Sequence, residues 1–336
     1  MIASRWLKGL TLLGLFYPVR WAVQCLPWRW ALKIGSLLGL LHALLIPDQL
    51  TRQIRIGLQS VWSDELSEVT LARLVRRNLV TRYKHLIDSF FYQHLDRDLI
   101  ERLVPKIDRR AHLDAALRGG KGAILLVSHF GSFGMLIVGL ALRGYRLHQI
   151  YTLTPQAPYR TWRWIERAIM KAKEHCWTYE GVGFEYWRPG NYLRPLYRKL
   201  LEGEIVVLYG DGARGRQFAR VDFMGHPLLL SVGPFRIAAK ARVALIPAFI
   251  LRQADDRHRI VLEQPISPAG DDPASLLQAA NQYAAFLAHY VRTYPDHWFS
   301  WARLRREGTE DGPVLAFSAG QVDSADFYTA EKSREP

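Results

Sequence analysis

Residues Ala123–Ser128 read AILLVS, five successive apolar side chains followed by a serine. A strand on a half-solvated sheet alternates apolar with polar. A strand that is apolar throughout must be covered on both faces, and helices packed on both sides of a largely parallel sheet provide that cover. Further strand-like runs occur at Gln149–Leu153, Glu204–Tyr209, Val243–Leu251 and Arg259–Leu262. Helical spacing separates several of them, at Phe133–Leu142, Tyr159–Lys173, Tyr192–Glu202 and Val232–Lys240, and a last helix is expected over Pro273–Thr293. This alternation predicts an α/β fold, a mixed sheet covered by helices.

The N-terminal fifty residues have a different character. They are strongly apolar and Trp-rich, with scattered Arg and Lys, and their uncharged runs, Gly9–Val19 and Ile34–Pro47, fall short of the roughly 18–20 residues that a spanning helix needs. Trp and Arg among Leu clusters suit helices lying in a headgroup region. Residues 1–50 are therefore expected to be an apolar helical membrane anchor. Residues 51–306 form the α/β domain, helical over 51–120 with apolar positions at Leu71, Leu74, Leu79, Tyr83, Leu86 and Phe90. The acidic stretch 307–336 is expected to be a flexible tail.

Charge narrows the partners. The net charge is +14, but residues 307–336 hold seven acids against two bases, so residues 1–306 carry +19. Such a body calls for an anionic partner such as a phospholipid surface or a phosphorylated substrate. Nucleic acid is disfavoured, because no nucleic-acid motif accompanies the charge and an apolar N-terminus has no use there. The two cysteines, Cys25 and Cys176, make no disulfide framework. Histidines are not paired at metal-ligand spacing and no dinucleotide or P-loop fingerprint is present, so neither a metal nor a bound cofactor is expected.

Ligand sites in α/β sheets lie beyond the carboxyl ends of strands. Two such ends carry reactive residues. After the first strand comes SHFGSFG, with His129 at a strand-to-helix turn, a suitable place for a general base. After the Glu204–Tyr209 strand comes YGDGARGRQFARVDFMGHP, where Asp211, Arg214, Arg216 and Arg220 could hold phosphate. The helix Tyr159–Lys173 lines up Arg160, Arg163, Arg167 and Lys171 on one face.

Taken together, the Trp-rich start, SHFGSFG, LYGDGARG, VDFMGHP, VGPFRIAAKARVALIPAFILR and the ending YPDHWFSWARLRR resemble the lysophospholipid acyltransferase superfamily. Within it the chain is most similar to the bacterial lipid A biosynthesis (lauroyl/myristoyl) acyltransferase branch. The resemblance runs to about residue 306. It implies acyl transfer from an acyl-carrier protein or coenzyme A thioester to a lipid hydroxyl, the thioester being a co-substrate rather than a cofactor. It further implies membrane lipids as partners and a place at the cytoplasmic face of a bacterial inner membrane. His129 falls at the family's base position. Ser128, Arg160, Asp211, Arg214 and Arg216 are the expected substrate contacts, with Arg160 standing in for an arginine the family carries after its second strand.

One departure matters. The family's H-x4-acid motif places a carboxylate five residues after the histidine to orient it, and here that position is Gly134. Three readings stay open. Another group, such as a backbone carbonyl, Asp211 or Asp222, orients His129. Alternatively the acceptor is an amine, or the donor more activated, so that less base help is needed. In the third reading the protein is a catalytically impaired relative that binds lipid or acyl-carrier protein.

Overall fold

The computed structural model describes residues 14–62, 65–151, 182–186, 193–212, 217–309 and 312–318. Helices α1 (Arg20–Gln24), α2 (Trp28–Leu45), α3 (Gln49–Trp62), α4 (Glu68–Phe91) and α5 (Arg97–Leu103) come first, followed by β1 (Lys106–Asp108) and α6 (Arg110–Leu117). The expected alternation then follows: β2 (Ala123–Val127), α7 (Phe133–Ala141), β3 (Leu147–Tyr151), β4 (Val182–Tyr186), α8 (Leu193–Leu201) and β5 (Ile205–Tyr209). The hairpin β6 (Phe218–Phe223) and β7 (His226–Ser231) leads into α9 (Gly233–Ala241), β8 (Leu245–Arg252), β9 (His258–Leu262) and α10 (Pro273–Thr293). Two short 3-10 turns, Pro295–His297 and Phe299–Ala302, precede β10 (Leu304–Thr309) and β11 (Gly312–Phe317).

Seven strands form one mixed sheet in the order β1-β9-β8-β2-β5-β3-β4, parallel except where β8 meets β9. β2 sits in the middle, and its side chains divide between two cores. Ile124 and Leu126 face the core shared with α9 and α10, while Ala123, Leu125 and Val127 face the core shared with α5, α6 and α7. A strand buried on both faces is the physical reason for its unbroken apolar run.

A second sheet of four strands, β10-β11-β7-β6, corrects two expectations. The stretch RQFARVDFMGHP, read as part of a phosphate-binding loop, folds from Phe218 onward into a hairpin whose residues alternate exposed and buried over β6. The stretch 307–336, expected to be a flexible tail, contributes β11, where Val314, Leu315, Ala316 and Phe317 are buried. Acidic composition misled the tail reading, because the short apolar run VLAF within it is long enough to form an interior strand between β10 and β7.

The N-terminal region is packed on the domain. Ala31, Leu32, Gly35, Gly39 and His42 of α2 are buried, and α2 lies along α4, where His42 Nδ1 meets Tyr83 Oη at 3.0 Å. Its other face leaves Trp30, Leu37, Leu41, Leu44 and Leu45 exposed. No single helix among the described residues is long and apolar enough to cross a membrane; α2 and α3 reach that length and composition only as a pair, bent by 85°.

Candidate active site

The sheet register brings the two reactive loops together. β2 and β5 are parallel neighbours with Val127 opposite Tyr209. Two residues beyond each, at the carboxyl ends of the strands, stand His129 and Asp211. They are 82 positions apart in sequence, yet His129 Nδ1 lies 2.8 Å from Asp211 Oδ1.

Asp211 is wholly buried, whereas the His129 side chain keeps 13 % exposure. A buried carboxylate needs its lone pairs filled. The His129 backbone N–H donates to both oxygens at 3.1 and 3.0 Å. Trp298 Nε1 and Ser300 Oγ donate to Oδ2 at 3.0 and 2.6 Å. Burial on its own would push this carboxyl up, but the charge and hydrogen bond of His129, the Arg303 guanidinium and the Ser300 hydroxyl hold it well below the usual carboxylate range. Asp211 is thus ionised and can only accept. Two acceptors would repel at 2.8 Å, so Nδ1 carries the proton and Nε2 is the nitrogen that can take one. Arg303 Nη2, 3.0 Å from the same Nδ1, then acts as a cation beside the carboxylate rather than as a donor to the ring. It is held by Ser300 Oγ at 2.9 Å and the Asp211 carbonyl at 3.4 Å.

The ring of His129 is also fixed by aromatic neighbours. It stacks on Tyr209 with centroids 4.7 Å apart and meets the edge of Phe133 at 5.5 Å. The loop below is held by the C-terminal strap: Phe299 N–H donates to His129 O, and Gly131 N–H to His297 O, both at 2.7 Å. Gly131 has φ +57°, and a Cβ there would sit 2.5 Å from the Ile250 carbonyl, so this turn requires glycine.

The empty motif position has a steric explanation. A Cβ at Gly134 would lie 2.5 Å from Tyr92 Oη and 2.6 Å from its ring, and Tyr92 is itself buried. Tyr92 occupies the space of the acid expected at that place. The carboxylate that reaches His129 comes instead from the end of β5.

The other expected site residues fare differently. Asp211, expected among the substrate contacts, is sealed from solvent and bonded to His129. Ser128 is also buried and turns into the core by the Tyr283 phenol, so its hydroxyl is not presented to a substrate. Asp222 is exposed on the second sheet. Arg160, Arg214 and Arg216, together with the Tyr159–Lys173 helix, lie outside the described residues. Sequence reasoning missed Tyr92, Tyr209, Trp298, Ser300 and Arg303. Three of these sit in YPDHWFSWARLRR, whose unusual pairing of tryptophans with arginine was the only available signal.

Residues 8–305 match the family described as bacterial lipid A biosynthesis acyltransferase. A phosphatidylinositol mannoside acyltransferase from Mycolicibacterium smegmatis is 26 % identical over 230 residues, covering 67 % of this chain and 70 % of the relative. One from Mycobacterium tuberculosis is 30 % identical over 157 residues, covering 44 % of this chain and 43 % of the relative. With a match over most of its length and a histidine–carboxylate pair at the strand ends, the chain belongs to the bacterial lipid A biosynthesis acyltransferase family and is an acyltransferase acting on lipid-like substrates.

Proposed function

We propose that this protein transfers an acyl group from an acyl-carrier protein or coenzyme A thioester to a sugar hydroxyl of a membrane glycolipid, with His129 as general base. The observation that carries this reading is the contact between His129 Nδ1 and a buried, ionised Asp211 at 2.8 Å. Nε2 takes the proton of the acceptor hydroxyl as its oxygen attacks the thioester carbonyl. The carbon–sulfur bond breaks, and the imidazolium returns the proton to the departing thiolate. Asp211 holds the ring in the productive tautomer and stabilises the imidazolium that forms, a role for which carboxylates in comparable triads are worth about 10⁴ in rate. No metal or cofactor takes part in this scheme.

The relatives named for phosphatidylinositol mannoside support a glycosylated phospholipid over a lipid A precursor as acceptor. The exposed apolar face of α2, beside Lys33 over the Trp30 ring at 4.3 Å, supports seating at a membrane surface, for which the cytoplasmic face of a bacterial inner membrane is the proposed place. Arg160, Arg214 and Arg216 remain the proposed phosphate contacts. A fully formed histidine–carboxylate pair supports turnover rather than a binding-only role.

Mass spectrometry of lipid extracts from strains carrying the wild-type gene, His129→Ala or no gene tests this. The expected result is a glycolipid heavier by one acyl group in the wild-type strain alone. Matching wild-type and His129→Ala profiles that both differ from the strain without the gene would overturn the general-base assignment.

A further inference from the structure

A second buried carboxylate lies behind the His129 loop. Asp88, on α4, is 0 % exposed, and the Arg252 side chain at the end of β8 is 7 % exposed; the two form an ion pair. Between them sits the hydroxyl of Ser132, three residues after His129. It donates to Asp88 Oδ2 and accepts from Arg252 Nη2 at 3.0 Å, so its proton and a lone pair are both committed. The other carboxylate oxygen of Asp88 accepts from Trp28 Nε1 at 3.3 Å. Arg252 is anchored in turn by the Asp256 carbonyl at 3.3 Å, and Asp256 holds Lys84 at 2.6 Å.

Two features of this arrangement run against stability. Ser132 occupies the N-cap position of α7, yet its side chain makes no cap hydrogen bond. A serine there usually contributes about 1 kcal/mol by capping, and this one is diverted. The buried ion pair is also a poor stabiliser, since desolvating both charges offsets much of their attraction and apolar replacements are often neutral or better. Both features become intelligible if the network exists to place the loop. The C-terminal strap holds that loop from one side through His297 and Phe299. The Asp88–Arg252 pair grips it from the other side at Ser132, and the Arg252 backbone N–H donates to His297 Nε2 at 3.3 Å, joining the two supports.

We infer that Asp88 and Arg252 are positioning residues that hold His129 in register with Asp211 through Ser132. The inference rests on His129 being the base, and its test separates the two claims. Three variants are compared with wild type in acyl transfer from acyl-coenzyme A to a mannosylated phospholipid in vesicles: Ser132→Ala, Asp88→Leu and the double Asp88→Leu/Arg252→Met. Melting temperature, kcat, KM and the His129 ring resonances in ¹⁵N-histidine spectra are recorded, with His129→Ala giving the assignment.

Misplacing a reacting group by about 1 Å costs on the order of 10²-fold. Ser132→Ala is therefore expected to lose about 10- to 100-fold in kcat at unchanged KM and near-wild-type melting temperature, with shifted His129 resonances. Asp88→Leu is expected to lower both kcat and melting temperature, since it strands a buried guanidinium. The double variant is expected to regain melting temperature but not kcat. Recovery of kcat together with stability in the double variant would make the pair structural only and overturn the inference. So would unchanged kcat and unchanged His129 resonances in Ser132→Ala. If the resonances respond while His129→Ala retains full turnover, the clamp on the loop stands and the base assignment falls.

Discussion

Helix α2 and the His129 loop reverse the usual arrangement in opposite directions. α2 turns Trp30, 59 % exposed, and Leu45, 71 % exposed, outward while burying His42. The loop region buries Asp211, Asp88, Ser300 and Arg252 beneath a histidine that is itself barely open. An exposed apolar face forgoes the free energy of burial, and a buried charge costs desolvation, so neither arrangement is what stability alone selects. The helix presents its apolar face to something apolar. The loop encloses charge so that one histidine is oriented. Under the proposed function each departure has a use: the apolar face would meet the lipid phase, and the enclosed charge would orient the histidine that meets the acceptor hydroxyl.

The largest test breaks the buried side of this comparison. Asp211→Asn keeps the shape but allows the wrong tautomer of His129, and kcat is expected to fall by roughly 10³–10⁴. Because the two groups act as one unit, the double variant with His129→Ala should be little worse than His129→Ala alone; multiplying losses would show independent roles.

Acid sensitivity probes the same region. His85 packs on Phe133 and Phe299, and burial, followed by the cations Arg252 and Arg82 and by His129, pushes it down to about 3. His258 is lowered as well, chiefly by burial. An unfolded histidine titrates near 6.5. Between these values the unfolded chain binds more protons than the folded one, so stability is full above pH 6.5 and declines as pH falls toward 3. For His85 the slope is about 1.4 kcal/mol per pH unit within that window, and His258 acts in the same direction. Urea titrations at pH 7 and 4.5 should show the loss, with a shallower dependence in His85→Phe; an equal slope in that variant would remove His85 from the account.

Restoring the family's acid should not help. Gly134→Asp drives a side chain into Tyr92, and such overpacking costs about 1–3 kcal/mol. Calorimetry should register the lower melting temperature and assays no gain in kcat. A fully active, equally stable variant would show that Tyr92 yields the space.

The smallest effect on folding is expected on the outward face of α2. Leu41→Ser and Leu44→Ser should each change stability by no more than about 0.5 kcal/mol, because these side chains are already exposed. Removing one of these exposed leucines should nevertheless weaken binding to anionic phospholipid vesicles by about tenfold in sedimentation, because the bilayer would bury it. Unaltered sedimentation would assign the apolar face to some other contact.

What could be read directly was whatever repeats locally. The apolar run at Ala123–Val127, the helical spacing from Pro273 to Thr293 and the apolar excess before residue 50 are each local patterns, written in neighbouring residues. His129 was legible because a polar residue at the end of a buried strand has few ordinary uses. The hairpin β6–β7 and strand β11 were not: Arg220 and Asp222 fill exposed positions of β6, and the short apolar run of β11 lies in an otherwise acidic stretch. Above all, the partner of His129 was not decided by its neighbours. Position 134 has no room for a side chain because Tyr92, just after α4, lies against it, and Asp211 reaches the imidazole because β2 and β5 pair in parallel with Val127 opposite Tyr209. The sequence by itself determined the strand, the histidine at its end and the apolar face. Only the sheet register decided which carboxylate meets that histidine, because hydrogen bonding between strands, not distance along the chain, sets which loop ends meet.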